Sequence, residues 1–442
     1  MTILIKAAQL LLALSILVII HELGHFLFAK LFKTRVEKFY LFFDAWFSLF
    51  KFKRGDTEYG VGWIPLGGYV KISGMIDESL DKEQMKQPPQ PWEFRSKKTW
   101  QRLLIMTGGV LFNLLLAMLI YIAVLYKWGE SYLATRDVKY GIVADSLARE
   151  MGLRNGDKVL SVDNEYIDIF YSIPTYILLN EKRTIQVERN GEIISIEVPD
   201  EYRPLMLKGA GRMDARIPFG PFIVAGFGKV SPAREAGVAE GDQIVSIDGH
   251  SFEFYDEFQE YVASKKSTEV MVTLLRAGGE TVVPVTLTEY GMLGVSRRAE
   301  QFFEFTDAEY GFFESIPLGI GKGLKMAGDY FKQFKLIFSR ETRGYESLGG
   351  FLTIGSIFPA AWDWHAFWDL TAFLSIILAI MNILPIPALD GGHVMFLLYE
   401  VVTGRKPSDR FMEYAQITGM IIIFALLIYA NGNDIVRFII RR

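Results

Sequence analysis

Between Ile16 and Lys33 the sequence reads ILVIIHELGHFLFAKLFK, an apolar run that carries His21, Glu22 and His25 within five positions. A charged side chain at the centre of a bilayer costs about 2.5–3.5 kcal/mol on insertion scales, so such residues persist where they have work to do. On a helix, positions i and i+4 share a face, so His21 and His25 can offer their imidazoles to one metal ion with Glu22 beside them. Neutral imidazoles suit zinc, and a catalytic zinc site takes three protein ligands and keeps a fourth position for water. The metal acidifies that water, and a neighbouring carboxylate accepts its proton. Glu22 is the candidate general base. A chance HExxH on this helix would instead leave three polar side chains desolvated without partners, which is costly.

The third ligand must come from elsewhere in the chain. No further His or Glu lies just downstream at a useful spacing, and Glu37 falls in a basic segment. The better candidate is Asp390 in MNILPIPALDGGH, residues 381–393, where Pro385 and Pro387 break a helix. Broken backbone at membrane depth is tolerated only where it is buried in protein or lines a wet cavity. From Ile3 to His21 a helix rises about 27 Å, nearly the whole hydrocarbon core. His21 and Asp390 therefore both fall toward the same end of their spans and can meet. His393, three positions after Asp390, is either a supporting partner or a spare ligand. Asn382 can donate to a developing oxyanion or act as a helix-packing amide. His250 and His365 read as structural, and Asn113 as an interhelical hydrogen bonder or a cavity-lining amide.

The elements that must position these groups are membrane spans. The N-terminal apolar run has no small-x-small cleavage site after it and continues past the histidines, so it reads as a retained span rather than a signal peptide. Leu103 to Tyr126, Ala366 to Leu389 and the shorter Tyr414 to Ala430 also approach the roughly 20 residues a spanning helix needs. Basic residues flank the connections between the first and second spans (Lys51, Lys53, Arg95, Lys97) and between the third and fourth (Arg405, Lys406). The positive-inside bias puts both connections in the cytoplasm and both termini outside. Residues 58–75, EYGVGWIPLGGYVKISGM, alternate and read as a hairpin turning at Gly67-Gly68. Too short to span, it would dip into the cytoplasmic side and offer an edge strand to an extended substrate. Gly67, Gly68, Tyr69 and Val70 are its candidate substrate-binding residues.

The 442-residue chain is half hydrophobic, carries a net charge of −4 and contains no cysteine. That excludes thiolate metal sites, cysteine catalysis and disulfides, and nothing in the charge suggests a nucleic-acid partner. The long insert between the second and third spans holds a repeat: SLAREMGLRNGDKVLSVDNE (146–165) aligns without gaps to SPAREAGVAEGDQIVSIDGH (231–250). Each copy reads as a short helix, a Gly-Asp turn and a strand, followed by a hairpin at 184–198 or 269–287. The pattern resembles PDZ domains, which bind peptides by adding a strand to a sheet edge; the alternative is a pair of spacers or a steric filter. Residues 310–340 interleave aromatics with Lys322, Lys325, Lys332 and Lys335, a composition expected on the membrane surface.

Taken together, the HELGH of the first span, the GWIPLGGYVK element, the tandem PDZ-like repeats and NILPIPALDGGH resemble the bacterial site-2 proteases over nearly the whole chain and in the same order. The resemblance implies an intramembrane zinc metalloprotease in the bacterial inner (cytoplasmic) membrane with periplasmic PDZ domains. It implies His21, His25 and Asp390 as Zn2+ ligands and Glu22 as the catalytic glutamate. Asn382, Pro385 and Pro387 match the family's substrate-contacting stretch, and the element around Gly67 its re-entrant β structure. The implied substrates are single-pass transmembrane proteins, anti-sigma factors and remnant signal peptides among them. The expected fold is a four-helix membrane protein with a re-entrant β-hairpin and two PDZ-like α+β domains. Its segments are 1–128, 129–208, 209–300, a surface segment 301–360, and 361–442 with the last two spans. The rival reading is a PDZ-bearing membrane scaffold with a structural or inactive metal site, but a purely structural site is usually closed by four protein ligands.

Overall fold

Residues 1–130 and 308–442 form one unit of the protein and residues 131–307 a second. The structure, a computed structural model, describes residues 2–75, 87–298, 302–339, 342 and 344–440. Among these, four helices are long and apolar enough to cross a membrane: Thr2–Leu31, Thr99–Trp128, Trp364–Ile383 and Arg410–Phe438.

Helix α1 (Thr2–Leu31) ends where Lys33 turns left-handed (φ 54°) and the Thr34 N–H reaches back to the Ala29 carbonyl at 2.8 Å, a closure that satisfies a terminal carbonyl. Helix α2 (Thr99–Trp128) packs on α1 with almost no side chain between them. A Cβ on Gly24 would sit 2.3 Å from the Gly108 carbonyl oxygen, so both positions are closed to anything larger than glycine.

Among the described residues between α1 and α2 are four strands: β1 (Val36–Phe43), β2 (Phe50–Arg54), β3 (Thr57–Val61) and β4 (Ile64–Ile72). They form one sheet in the order β2-β3-β1-β4. The expected hairpin turning at Gly67-Gly68 is not what forms. β4 runs through both glycines, pairing antiparallel with β1, while β3 pairs parallel with β1 on its other side. Alternation identifies strands but does not say which edge each one joins. Gly67 (φ 142°) lies beside an irregularity in the β1–β4 register between Leu41 and Phe43, where a bulge favours glycine. β4 remains an outer strand.

After the second unit the chain returns as α3 (Phe312–Phe338), the segment expected on the membrane surface. It packs along α2: a Cβ on Gly319 would touch Ile122 at 2.6 Å, and one on Gly323 would touch Met118 at 3.1 Å. α3 thus runs antiparallel to α2. Its opposite side exposes Phe313 and Leu324. Helix α4 (Trp364–Ile383) stops six residues before the expected Leu389, because Pro385 and Pro387 cannot donate to a continuing helix. Helix α5 (Asp390–Thr403) follows and is pinned to α2 by Arg102 on Glu400 at 2.5 Å. Helix α6 (Asp409–Ile435) is longer than the stretch read from apolarity alone.

In the second unit both repeats fold as their sequences require. The first builds β5 (Ile142–Ala144), β6 (Lys158–Val162), β7 (Thr184–Arg189), β8 (Glu192–Glu197) and β9 (Met213–Ala215). The second builds β10 (Phe222–Phe227), β11 (Gln243–Ile247), β12 (Glu269–Arg276), β13 (Gly279–Thr286) and β14 (Val295–Arg297). The sheets are β6-β7-β8 with a separate β9-β5 pair, and a continuous β13-β12-β11-β10-β14. Since β9 pairs with β5, the first copy extends past residue 208, where the sequence suggested its boundary. Each copy has its own apolar core, around Leu153, Ile173 and Ile185 in one and Phe222, Ile247 and Val272 in the other. Asp256 joins the copies, accepting from Asn155 at 2.8 Å and from Arg216 at 3.0 Å.

Candidate metal centre

His21 and His25 lie one turn apart on α1, both buried, with their rings edge to face and centroids 4.9 Å apart. Gly109 of α2 makes room for them: a Cβ there would lie 2.5 Å from His25 Nε2 and 2.6 Å from His21 Cε1. The tautomer of His25 follows from its surroundings. Its Nδ1 lies 2.8 Å from the Ile105 carbonyl, which can only accept, so Nδ1 carries the proton and Nε2 is left as a ligand.

Asp390 reaches the same point from the far end of the chain. After α4 stops, the backbone bends through Ala388 in a left-handed conformation (φ 92°), and Asp390 opens α5. Gly391 and Gly392 allow this fold-back; a Cβ on Gly391 would be 2.1 Å from the Leu384 carbonyl oxygen. Asp390 Oδ2 then lies 3.1 Å from His21 Nε2 and 3.2 Å from His25 Nε2, and the two Nε2 atoms are 3.2 Å apart.

Whether these groups fit a metal can be tested on their geometry. Ligands about 2.0–2.1 Å from a tetrahedral zinc stand roughly 3.3 Å from each other, close to the edges of this triangle. Asp390 Oδ2 is also buried without a hydrogen-bond partner, a costly state for a carboxylate oxygen unless a cation completes it. Among the described residues, His21, His25 and Asp390 are the His and carboxylate groups gathered closely enough to hold an ion. The set fits zinc.

Asn113 of α2 explains the orientation of His21. Its amide nitrogen is 3.2 Å from His21 Nδ1, while its oxygen is buried without a partner. Amide oxygen and nitrogen are assigned from the bonding network. Turning the amide over puts the acceptor on a protonated Nδ1, satisfies the oxygen and frees His21 Nε2 for the metal. The same carbonyl-or-carboxamide support then serves both histidines. Asn113 was legible as a hydrogen bonder but not as the histidine's partner.

These groups open on a cavity of about 530 Å³ whose walls include Glu22, Gly68, Tyr69, Val70, Asp390 and Gln416. β4 comes this close to α1 because Gly68 has no side chain: a Cβ would lie 2.6 Å from Val18 and 3.6 Å from Glu22 Cγ. Asn382 sits at the rim of the ligand triangle, its amide nitrogen 3.3 Å from His21 Nε2. His393 lines the cavity but stands outside the triangle. Gly67, Pro385 and Pro387 are not among its lining residues; the prolines shape the loop that delivers Asp390. Sequence reading missed Gly24, Gly108, Gly109 and Gln416. For Gly108 and Gly109 the available signal was a glycine pair inside an apolar second span.

Two histidines, a distant aspartate and a neighbouring glutamate, set among helices long enough to cross a membrane, are the attributes of a membrane-embedded metalloprotease. The chain belongs to Peptidase family M50, which matches residues 9–426, and is an intramembrane protease of that family. It is similar to the "Regulator of sigma E protease" of Haemophilus influenzae, with 27% identity covering 99% of this chain and 100% of that one. It is likewise similar to a protein of Vibrio cholerae serotype O1 named "Putative zinc metalloprotease", with 29% identity over 96% and 97% of the two chains. Among solved structures, the PDZ domain of an SdrC-like protein from Listeria innocua matches 19% of this chain and 98% of its own, at 26% identity and a TM-score of 0.17.

Proposed function

We propose that His21, His25 and Asp390 hold a zinc ion and that Glu22 is the general base of peptide-bond hydrolysis within or near a transmembrane segment. The observation that carries this reading is the ligand triangle with its orphaned carboxylate oxygen. When bound, zinc supplies Lewis acidity that acidifies water and polarises a carbonyl. Glu22 takes the proton of the attacking water and passes it to the leaving amine. Asn382 donates to the oxyanion from the rim of the site.

A membrane-spanning substrate is protected by its own helical hydrogen bonds, so it must be unwound before one carbonyl can be reached. β4 supplies the replacement partners. It is an outer strand of its sheet, and Gly68, Tyr69 and Val70 line the cavity, so an extended peptide can pair along it. Gly67 sets the bulge from which that edge departs, and Pro385 and Pro387 shape the loop that brings Asp390 to the site. Single-pass membrane proteins are the substrate class. A relative named for regulating sigma E supports anti-sigma factors, with remnant signal peptides as further candidates.

The basic residues of the other two connections leave residues 131–307 on the non-cytoplasmic side, and the resemblance to the bacterial site-2 proteases makes the membrane the inner one and that side the periplasm. Their two repeats act as PDZ-like domains. In the second, the outer strand β14 is the edge for a peptide ligand. In the first, Asp145 accepts from the Ala148 and Arg212 amides at 2.8 and 3.0 Å, so the end of the β9 edge already holds a carboxylate.

The deciding experiment measures zinc content and cleavage of a single-span peptide in proteoliposomes for the wild type and Glu22→Gln. Zinc in both and cleavage only in the wild type supports the reading; cleavage by both overturns it. A single cysteine at Ser195 reacting with impermeant maleimide from outside, while one at Lys97 does not, supports the orientation; equal labelling overturns it.

A further inference from the structure

α6 makes few close contacts. Of its described residues only Gln416, Gly419 and Asp434 are buried, and the first two lie about one turn apart on a shared face. Gly419 sets the approach: a Cβ there would coincide with the Pro387 carbonyl oxygen, at 1.3 Å. α6 therefore meets the loop that delivers Asp390 backbone to backbone. That contact carries the Gln416 side chain into the wall of the cavity that holds Glu22 and Asp390.

Gln416 is only 3% exposed, and its amide makes no hydrogen bond to another described residue. What little surface it keeps is in the cavity wall, and a carboxamide at membrane depth is costly without a partner. Neither the ligand triangle nor Glu22 uses it. An extended peptide lying along β4 offers it one. Such a peptide pairs half of its backbone groups with the sheet edge, and the other half faces the opposite wall. In a membrane-enclosed cavity those groups need protein partners. A carboxamide, with an acceptor oxygen and a donor nitrogen, complements a peptide unit, which has one N–H and one C=O.

We propose that Gln416 is a substrate-binding residue, whose carboxamide bonds the backbone of the extended substrate from the side opposite β4. This rests on the protease reading above and adds α6 to the substrate site. The test uses the full-length protein in proteoliposomes with a purified single-span peptide. Gln416→Met keeps length and removes both hydrogen-bonding groups. It should leave zinc content and thermal midpoint at wild-type values and lower kcat/KM about tenfold, the worth of one such bond, chiefly through KM. In the Glu22→Gln background, a cysteine at Gln416 in this cysteine-free chain should form disulfides with single cysteines placed near the substrate's cleaved bond. Wild-type kinetics in Gln416→Met overturns the inference, as does loss of zinc in that variant. So does a failure of the cysteine at 416 to cross-link any substrate position while one at Tyr69 does. If the wild-type enzyme cleaves no single-span peptide, the protease reading itself falls and takes this inference with it.

Discussion

Asp157, Asp242 and Asp390 each bury carboxylate oxygens, and the protein treats them in two ways. Asp157 and Asp242 occupy equivalent positions in the two repeats of the second unit. Each accepts two bonds from one arginine, Arg189 at 2.7 and 2.7 Å or Arg276 at 2.8 and 2.6 Å. Each also accepts a backbone amide, from Arg154 or Ala239, both at 2.8 Å, and the arginine goes on to the carbonyl of Gly152 or Gly237. Nothing is left over. Asp390, in the membrane unit, faces two imidazoles and keeps an oxygen without a donor. A carboxylate whose bonds are all made by its own fold can only stabilise that fold. One left incomplete is poised for a cation, and the protein carries the cost of holding it that way.

Removing Asp390 should have the largest effect. Asp390→Ala is expected to lose bound zinc and peptide cleavage together, read by metal analysis and turnover on the same preparation; zinc retained at wild-type stoichiometry would exclude Asp390 as a ligand. Glu22→Gln comes next. It should keep its zinc and lose turnover by about 10²–10⁴-fold, the usual worth of a general acid–base group. Asn113→Ala tests the support of His21. Its zinc affinity should fall about 10–100-fold, as for other residues that orient metal-bound histidines, and Asn113→Asp should recover most of it because the acceptor is restored. If alanine and aspartate behave alike, the amide packs helices and nothing more.

The completed carboxylates should respond on another axis. Asp242→Asn is expected to destabilise the second repeat by about 1–3 kcal/mol, the cost of disrupting a buried hydrogen-bonded group, seen as faster hydrogen exchange over residues 222–287. Zinc content should not change. The arginine bonds hold the Asp242 carboxyl below its usual pKa. Its stabilisation is therefore fully present above the unfolded value of about 3.9 and is lost as pH falls through the lower folded value. Protection factors in the wild type, corrected for the intrinsic exchange rate, should fall at acid pH, and Asp242→Asn should flatten that part of the profile. A change in zinc content without a change in exchange would reverse the distinction between the two kinds of aspartate.

Much of this was legible in the chain. HELGH placed two imidazoles and a carboxylate on one apolar helix because i and i+4 share a face whatever the surroundings. The two prolines before Asp390 ended a span wherever it lay. The repeat declared two small domains, and their strands at Lys158–Val162 and Gln243–Ile247 follow from local alternation and Gly-Asp turns. These are properties of short stretches, fixed by residue type and spacing. What only the tertiary structure decided involves partners far apart in sequence. Gly109 leaves space for imidazoles borne by α1, Asn113 and the Ile105 carbonyl orient their rings, and Gly68 lets β4 reach Glu22. Alternation could not reveal that β3 and β4 flank β1 instead of pairing with each other, because a strand's pattern records which face is buried and not which neighbour it joins. A glycine in an apolar helix has the same appearance in sequence whether it faces lipid, a carbonyl or an imidazole. Only packing tells them apart.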